Sequence, residues 1–583
     1  MAKQKEIRWL NNLVAELLNV TPIDDPSQKE WFFTNPREGW VFIASTAKVK
    51  GSEKLWITID EAPKEHAVIF HQDTLSSGDL SYEEAMCYLT AGKHTVKFWK
   101  YGQPTVERLI IRAIPELLFC KFQYDPHIIP HSPYNWTFLK RYVLPHVNTI
   151  VGSGSEEHLP FVQEWKKKGK RWIVEVYAAP FFQDMTAEEA YHYWTENVGF
   201  KNPLYDGIIA DEFFSGEHQR YQAIIDSIRQ ICQNEQFHGK VFYPYCGSMY
   251  GTKLSEEFIK TIMDAGYHFA WERYLQEQPT ETMAAAYLRD ALGQEMQRWQ
   301  KALPDCARRM IICFGYMSMI TAESLNVSPR VDFKVWLDMQ FQYVATDPAF
   351  FGLYGIMAYT SGYADEETVR WAAKLYRHYG IEGKTERLSE QYGFKYSLNH
   401  IENPDFEEGL KGWTVETAEE GSMETKRVEG YGWLQGRYPR TSLGDTFLWM
   451  KRSDKKPNKV SQDVKNLQPG KLYSLKMVTS DYRDLVEGRS VEKRHAISIQ
   501  LEGVELLPEK CFQFVIANNY AHHWRPFSNK HRFWMNYHFQ VFQAKGKTAK
   551  LTISDWTSDI EPGGPIGQEL MVNFIEVQPY LEE

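Results

Sequence analysis

Hydrophobic and polar positions pass through three regimes along this chain. Over the first ~20 residues the apolar positions fall on one face of a 3.6-residue period, so this stretch predicts an amphipathic helix. From 39 to 114 the pattern switches to strict alternation, in runs at 39–45, 54–60, 65–71, 93–100 and 107–114. Turn material such as Lys50-Gly51-Ser52 and Ser77-Gly78-Asp79 separates the runs. Successive side chains of a strand point to opposite faces, so this alternation predicts an antiparallel β-sandwich ending near Pro115.

In the second regime, short apolar runs alternate with helical segments. The runs fall at 117–124, 148–154, 172–178, 207–214, 240–247, 268–275, 310–317 and 351–359. Helical spacing is found at 134–146, 156–168, 186–197, 217–235, 254–265, 280–302, 331–346 and 365–379. Strand–helix repetition implies βαβ units and a parallel sheet. Eight such units within ~270 residues suit a closed (β/α)₈ barrel, here over 116–385. A doubly wound open sheet is the competing fold. It would place a glycine-rich phosphate loop after its first strand, and this chain has Asp125-Pro126-His127 there.

The third regime, over 386–583, returns to alternation. Its runs include 470–476, 550–556 and 571–579. The opening Asn403-Pro404-Asp405-Phe406-Glu407, with Gly409 and Gly412-Trp413, resembles the start of jelly-roll carbohydrate-binding modules. The run Gly470–Lys476 resembles their central strand, and 89–96 resembles the penultimate turn and strand of accessory sandwiches. The expectation is therefore a multidomain protein: an N-terminal helix and β-sandwich over 1–115, the barrel, and a C-terminal jelly-roll β-sandwich over 386–583. The stretch 277–330 is long enough to form a lid or an interface.

Composition changes this picture in few places. The 583 residues carry a formal charge of −10, which argues against nucleic acid, whose phosphates need a basic surface. No apolar run approaches the ~20 residues of a membrane span, so no membrane partner is expected. The N-terminal stretch does not read as a signal peptide, so the chain is either cytoplasmic or an exported protein whose signal has been removed. Its seven cysteines lack CxxC spacing, which excludes a zinc ribbon and implies unpaired thiols. Aromatic residues reach 15%, a level that fits either large cores or rings stacked on sugars.

Barrel active sites lie at the C-terminal strand ends, which directs attention to the polar residues there. They are Asp125 and His127 after the first strand, with Gln123 and Tyr124, and Ser153 after the second. Glu175 and Tyr177 follow on the third, Asp211 and Glu212 on the fourth, and Tyr243 and Tyr245 on the fifth. Trp271, Glu272 and Arg273 lie on the sixth, Tyr316 on the seventh and Tyr359 on the eighth. Carboxylates inside apolar runs are costly unless paired or facing a cleft. The plain alternative is a buried ion pair of Glu272 with Arg273 or Arg171. A cleft of carboxylates and aromatic rings suits glycoside chemistry, where one carboxyl protonates the leaving oxygen and another attacks or activates water. His127 and His131 beside Asp125 suggest a metal only weakly, since two prolines break the segment. No metal or cofactor is expected. GxSxG, Walker and HExxH patterns are missing. His522-His523-Trp524 forms a cluster without an evident chemistry.

The central region resembles the (β/α)₈ glycoside hydrolases. Asp211-Glu212 is similar to the Asn-Glu pair of their largest clan, with Asp in place of Asn, and that resemblance implies Glu212 as the acid/base. The seventh run lacks that clan's nucleophile. A second pattern, like that of α-galactosidases, places its carboxylates on the fourth and sixth strands and fits Asp211 or Glu212 with Glu272. The chitinase-like signature is approached at 206–211 and fails at Ile209 and Phe213. The expectation is a glycoside hydrolase with Glu212 as acid/base, Glu272 as second carboxylate, and Asp211 or Glu175 tuning them. Asp125, His127, Tyr177, Tyr243, Tyr245, Trp271, Tyr316 and Tyr359 are expected to hold carbohydrate. A non-catalytic glycan-binding barrel and another barrel enzyme, such as a polysaccharide lyase or a metal-dependent hydrolase, remain as alternatives.

Overall fold

The computed structural model describes the chain apart from residues 1–6, 25–27, 29, 73–79, 321–322, 439–441, 519–520, 522–531 and 583. The turn at Ser77-Gly78-Asp79 and the His522-His523-Trp524 cluster lie outside the described residues.

At the centre is a closed barrel of eight parallel strands. They are β1 (Glu116–Cys120), β2 (Thr149–Gly152), β3 (Arg171–Tyr177) and β4 (Gly207–Phe213), followed by β5 (Val241–Cys246), β6 (Phe269–Arg273), β7 (Met310–Gly315) and β8 (Gly355–Tyr359). β8 closes the barrel on β1, with Glu116 opposite Gly355. Alternation along each strand divides the apolar residues between two cores. Leu118, Val151, Ile173, Ile209, Ile311 and Met357 fill the barrel. Their outward neighbours pack against surrounding helices such as Arg220–Gln233, Lys253–Asp264 and Phe333–Thr346. That outer layer absorbs Trp165, Trp172, Trp194, Trp271, Trp299, Trp336 and Trp371, all fully buried. Much of the tryptophan is therefore core material.

The N-terminal segment forms two antiparallel sheets. One orders Arg8–Trp9, Ala15–Val20, Thr105–Ile114, Gly39–Lys48 and Leu80–Leu89. The other orders Glu30–Asn35, Gly92–Tyr101, Lys54–Ile59 and Ile69–Gln72. Val41, Ile43, Leu55, Ile57, Val96 and Ile111 share one core. The expected N-terminal helix is overturned, because Ala15–Val20 is a strand paired with Thr105–Ile114. A register shift between Glu16 and Leu18 turns both Leu17 and Leu18 inward, which imitates helical spacing in the sequence. Asn11 makes the preceding turn, its side-chain oxygen accepting from the Leu13 and Val14 amides at 2.9 Å each. The strands Glu30–Asn35 and Leu80–Leu89 lay outside the sequence expectation.

Two further antiparallel sheets follow the barrel. One orders Thr414–Glu416, Lys459–Val464, Ala549–Ser554 and Ser498–Glu502. The larger is built on Leu472–Asp481, Phe533–Ala544 and Glu569–Pro579. A core including Val460, Leu475, Leu551 and Ile575 lies between them. The remaining face of the larger sheet buries Met319 and Ile320, from the loop after β7, together with Ile128. Charged groups seal the same joint. Lys476 lies 3.2 Å from both Asp365 and Glu576, and Lys334 lies 3.1 Å from Glu367. Part of the stretch 277–330 is thus an interface. Among the described residues, no helix is long and apolar enough to cross a membrane, and all seven cysteines are unpaired.

Candidate active site

A cleft of about 480 Å³ opens at the C-terminal ends of β1 to β4. Lys121, Gln123, Tyr124, His158, Glu175, Tyr177 and Asp211 line it. Strand alternation explains the set. Ile173 and Ile209 fill the barrel interior, so Glu175 and Asp211, two residues along each strand, also point inward. Lys121 donates to Glu175 Oε1 at 2.9 Å, and Glu175 Oε2 is buried without a partner among the described residues. His158 fixes the neighbouring wall, bonded to Gln123 at 2.6 Å and Ser153 at 2.9 Å. Tyr177 is 53% exposed and stacks on Phe182 at 5.0 Å.

By alternation alone, Glu212 would point away from Asp211 into the helix layer. The structure avoids this with a register shift between Ala210 and Phe213 against β5. Glu212 takes the left-handed conformation, φ 71°. Phe213 then fills the outward position, 4.9 Å from the Phe258 ring. Glu212 is left exposed at the strand end, close enough for its charge to act on Asp211 and Glu272. A non-glycine residue at positive φ costs about 1 kcal/mol or more.

Glu272 faces inward between Trp271 and Arg273, and Tyr274 donates to its Oε1 at 2.8 Å. Neither arginine pairs with it. Arg273 donates to the Ala291 carbonyl at 2.6 Å, and Arg171 lies 3.4 Å from Glu116 at the start of β1. The buried ion pair considered from sequence is therefore not formed. Burial pushes the Glu272 carboxyl up to about 7. The Tyr274 hydrogen bond opposes this, and the charges of Asp211 and Glu212 add to it. Burial, then Glu175 and Glu212, push Asp211 up to about 7 as well, against the pull of Lys121. Like charges crowded in low dielectric resist ionising together.

The structure therefore brings together Glu175, Tyr177, Asp211, Glu212 and Glu272. Tyr359 joins them from below, 5.9 Å from the Tyr274 ring and within reach of the charges on Glu175, Asp211 and Glu272. Other residues expected in the cleft stand elsewhere. Trp271 points outward because its neighbour Glu272 points inward, and it packs 6.1 Å from Trp299. Tyr243 donates to Glu116 at 2.8 Å, and Tyr245 lies 3.2 Å from Cys120 and Met357; both are fully buried in the barrel. Tyr316 is also buried, donating to the Cys120 carbonyl at 3.2 Å. Asp125 accepts from the Tyr134 amide at 2.8 Å and shapes a loop. His127 stands behind Tyr124, bonded to its hydroxyl at 3.1 Å. His131 is buried between Phe512 and Phe539 of the C-terminal sheets, 4.9 Å from the nearer ring. Among the described residues, no group of three or more His, Cys, Asp or Glu is placed to hold a metal ion.

Sequence reasoning missed Lys121 and Tyr274, each the first residue past a strand end, and His158, in the short turn Glu156–His158 beyond β2; none belongs to a recognised motif. It also missed Glu323, in the loop after β7. Burial and then the charge of Glu212 raise its pKa.

No family model matches the chain, and no curated protein matches it. Several solved structures are similar to it. One is active domain 2 of a thermostable chitinase from Pyrococcus furiosus, at 10% identity over 48% of this chain and 97% of that one, TM-score 0.31. A ruminal GH26 endo-β-1,4-mannanase matches at 9% identity over 64% and 90%, TM-score 0.25. A calcium-binding mutant of β-glucuronidase 2 from Bacteroides uniformis matches at 8% identity over 94% and 79%, TM-score 0.31. All three are glycoside hydrolases.

Proposed function

We propose that the protein is a glycoside hydrolase, cleaving an oligo- or polysaccharide with carboxyl groups at the mouths of β4 and β6. The observation that carries this reading is the convergence of Asp211, Glu212 and Glu272, two of them pushed up to about 7. A cleft that keeps one carboxyl protonated beside another that can ionise holds both parts of glycosidic cleavage.

Surroundings divide the roles. Lys121 favours charge on Asp211, whereas no cation contributes to the shift of Glu272. Glu272 is then the proton donor to the departing glycosidic oxygen. Asp211, ionised, attacks the anomeric carbon or takes the proton of an attacking water. The two titrate as a coupled set with shared apparent pKa values. This moves the donor role expected of Glu212 onto Glu272. Glu212, exposed at the mouth, adds negative charge that favours the positive charge developing on the sugar. Glu175, Lys121 and Tyr177 provide hydroxyl partners and a ring face along the cleft wall. In the same reading 1–115 and 386–583 are accessory β-sandwiches around a catalytic barrel at 116–385, the latter sandwich similar to jelly-roll carbohydrate-binding modules.

The test is release of reducing sugar from a panel of plant, algal and bacterial glycans. Wild type, Asp211→Asn and Glu272→Gln are compared, with folding checked by thermal melting. Turnover by wild type and loss of about a thousandfold in each variant, ~4 kcal/mol of barrier, is the expected result. Glu272→Gln should recover most on aryl glycosides whose leaving group needs no proton. Full activity in both variants would remove the mechanism, and binding without turnover would favour a non-catalytic glycan-binding barrel.

A further inference from the structure

The rim of the cleft beside β3 and β4 carries three aromatic rings in contact. Tyr177, the last residue of β3, lines the cleft and stands in register with Asp211 on β4. Its ring lies 5.0 Å from that of Phe182 and nearly parallel to it, at 13°. Phe182 ends the short helix Ala179–Phe182. It stands 6.3 Å from the ring of Phe214, the first residue past β4, edge to face at 80°. The row therefore starts on the cleft wall at Tyr177 and continues over two rings that lie beyond the cleft lining.

Burial separates these rings from their sequence neighbours. Phe181 and Phe213 are buried, 5.5 Å apart, and Phe181 also packs 5.2 Å from Tyr221. Phe182 rests on that core, whereas Phe214 is 49% exposed and Tyr177 is equally open. The backbone under the open rings is nevertheless fixed. The Tyr193 hydroxyl donates to the Tyr177 carbonyl at 2.7 Å, and the Tyr221 hydroxyl donates to the Phe214 carbonyl at 2.7 Å. Arg220 donates to the Phe181 carbonyl at 3.2 Å and pairs with Asp184 at 2.7 Å. Tyrosines of two helices thus hold Tyr177 and Phe214 where their rings face water beside the carboxyls.

We propose that Tyr177, Phe182 and Phe214 form a stacking platform for the pyranose units of a glycan chain that runs out of the cleft past β4, so that the substrate is a polysaccharide. The inference rests on the glycosidase reading above and extends it to the length of the substrate. The C–H face of a pyranose packs on an aromatic plane, and the Tyr177 hydroxyl can donate or accept beside it. Rings fixed before the ligand arrives lose little freedom on binding.

The experiment measures binding without requiring turnover, by migration through native gels containing hydroxyethyl cellulose, galactomannan, arabinoxylan, laminarin or glycol chitosan. The full chain is compared with Phe214→Ala, Phe214→Tyr and Phe182→Leu. Wild type should be retarded by at least one polymer. Phe214→Ala should bind it about tenfold more weakly, the effect of truncating an aromatic anchor. Phe214→Tyr keeps the ring and should bind like wild type. Phe182→Leu keeps the packing on the core, loses the ring and should bind more weakly. Equal retardation of wild type and Phe214→Ala, or no retardation of wild type by any of the five polymers, would overturn the inference. So would sedimentation of wild type as a dimer and of Phe214→Ala as a monomer, which would give these rings to a second copy of the chain. Failure of the glycosidase reading looks different: the polymer would be bound through the platform and release no reducing sugar.

Discussion

Two carboxyls pushed up to about 7 dominate the chemistry at the scale of single residues. A carboxyl whose pKa rises on folding holds its proton longer in the folded chain than in the unfolded one. The stability owed to that proton is complete below about pH 4 and is lost as the pH climbs through 7. Glu272→Gln removes the burden of a buried charge. Its thermal midpoint should exceed that of wild type by roughly 2–4 °C at pH 8, while the two proteins melt together near pH 4. A variant that melts lower at pH 8 would mean that the charged carboxylate is welcome where it sits. In the proposed glycosidase reading the same titration sets the pH range of turnover. The kcat/KM of wild type should fall as the pH rises through about 7, where the donor loses its proton. A pH–rate profile flat from 6 to 9 would deny Glu272 that role.

Elements decide which residues become neighbours. The irregularity at Ala210–Phe213 is what admits both Asp211 and Glu212 to the cleft side of β4. Glu212→Gly relieves the left-handed strain and should raise stability by about 0.5–1 kcal/mol in denaturant titration while reducing turnover. Destabilisation instead would show that the Glu212 side chain supports the bulge. The N-terminal strand depends on a comparable local device. Asn11 accepts from two amides and donates to the Tyr379 and Lys384 carbonyls at 2.9 and 3.0 Å, tying the first sheet to the barrel. Asn11→Ala leaves these groups unsatisfied and should cost about 1–3 kcal/mol, read as a lower denaturation midpoint.

For the whole molecule, the joint between barrel and C-terminal sheets is the controlling feature. Burial disfavours charge on Asp365, yet Lys476 holds its carboxyl below the usual carboxylate range. Lys476→Met strips the partner from both Asp365 and Glu576 and should cost about 3–5 kcal/mol, measured by equilibrium unfolding. Ending the chain at residue 385 uncovers Met319, Ile320, Lys334 and Glu367 together. The expected product is insoluble or molten, visible as dye binding and the loss of a cooperative melt. A truncated barrel that melts sharply would show that the joint only decorates it.

The alternation of apolar runs with helical segments was enough to establish the eight barrel strands and most of their ends, because each period reports a local preference repeated eight times. Glu175, Asp211 and Glu272 were legible for a related reason: a carboxylate inside an apolar run is costly anywhere but at an open strand end. Ala15–Val20 was misread because one bulge shifts two leucines to the same face, and periodicity counts positions without seeing the bulge. Tertiary structure alone placed Trp271 outside and sank Tyr243 and Tyr245 into the barrel. The two tyrosines meet Glu116, Cys120 and Met357, partners more than 100 residues away along the chain. Spacing along the chain carries information about a residue's own face, and closure of the barrel decides what that face meets.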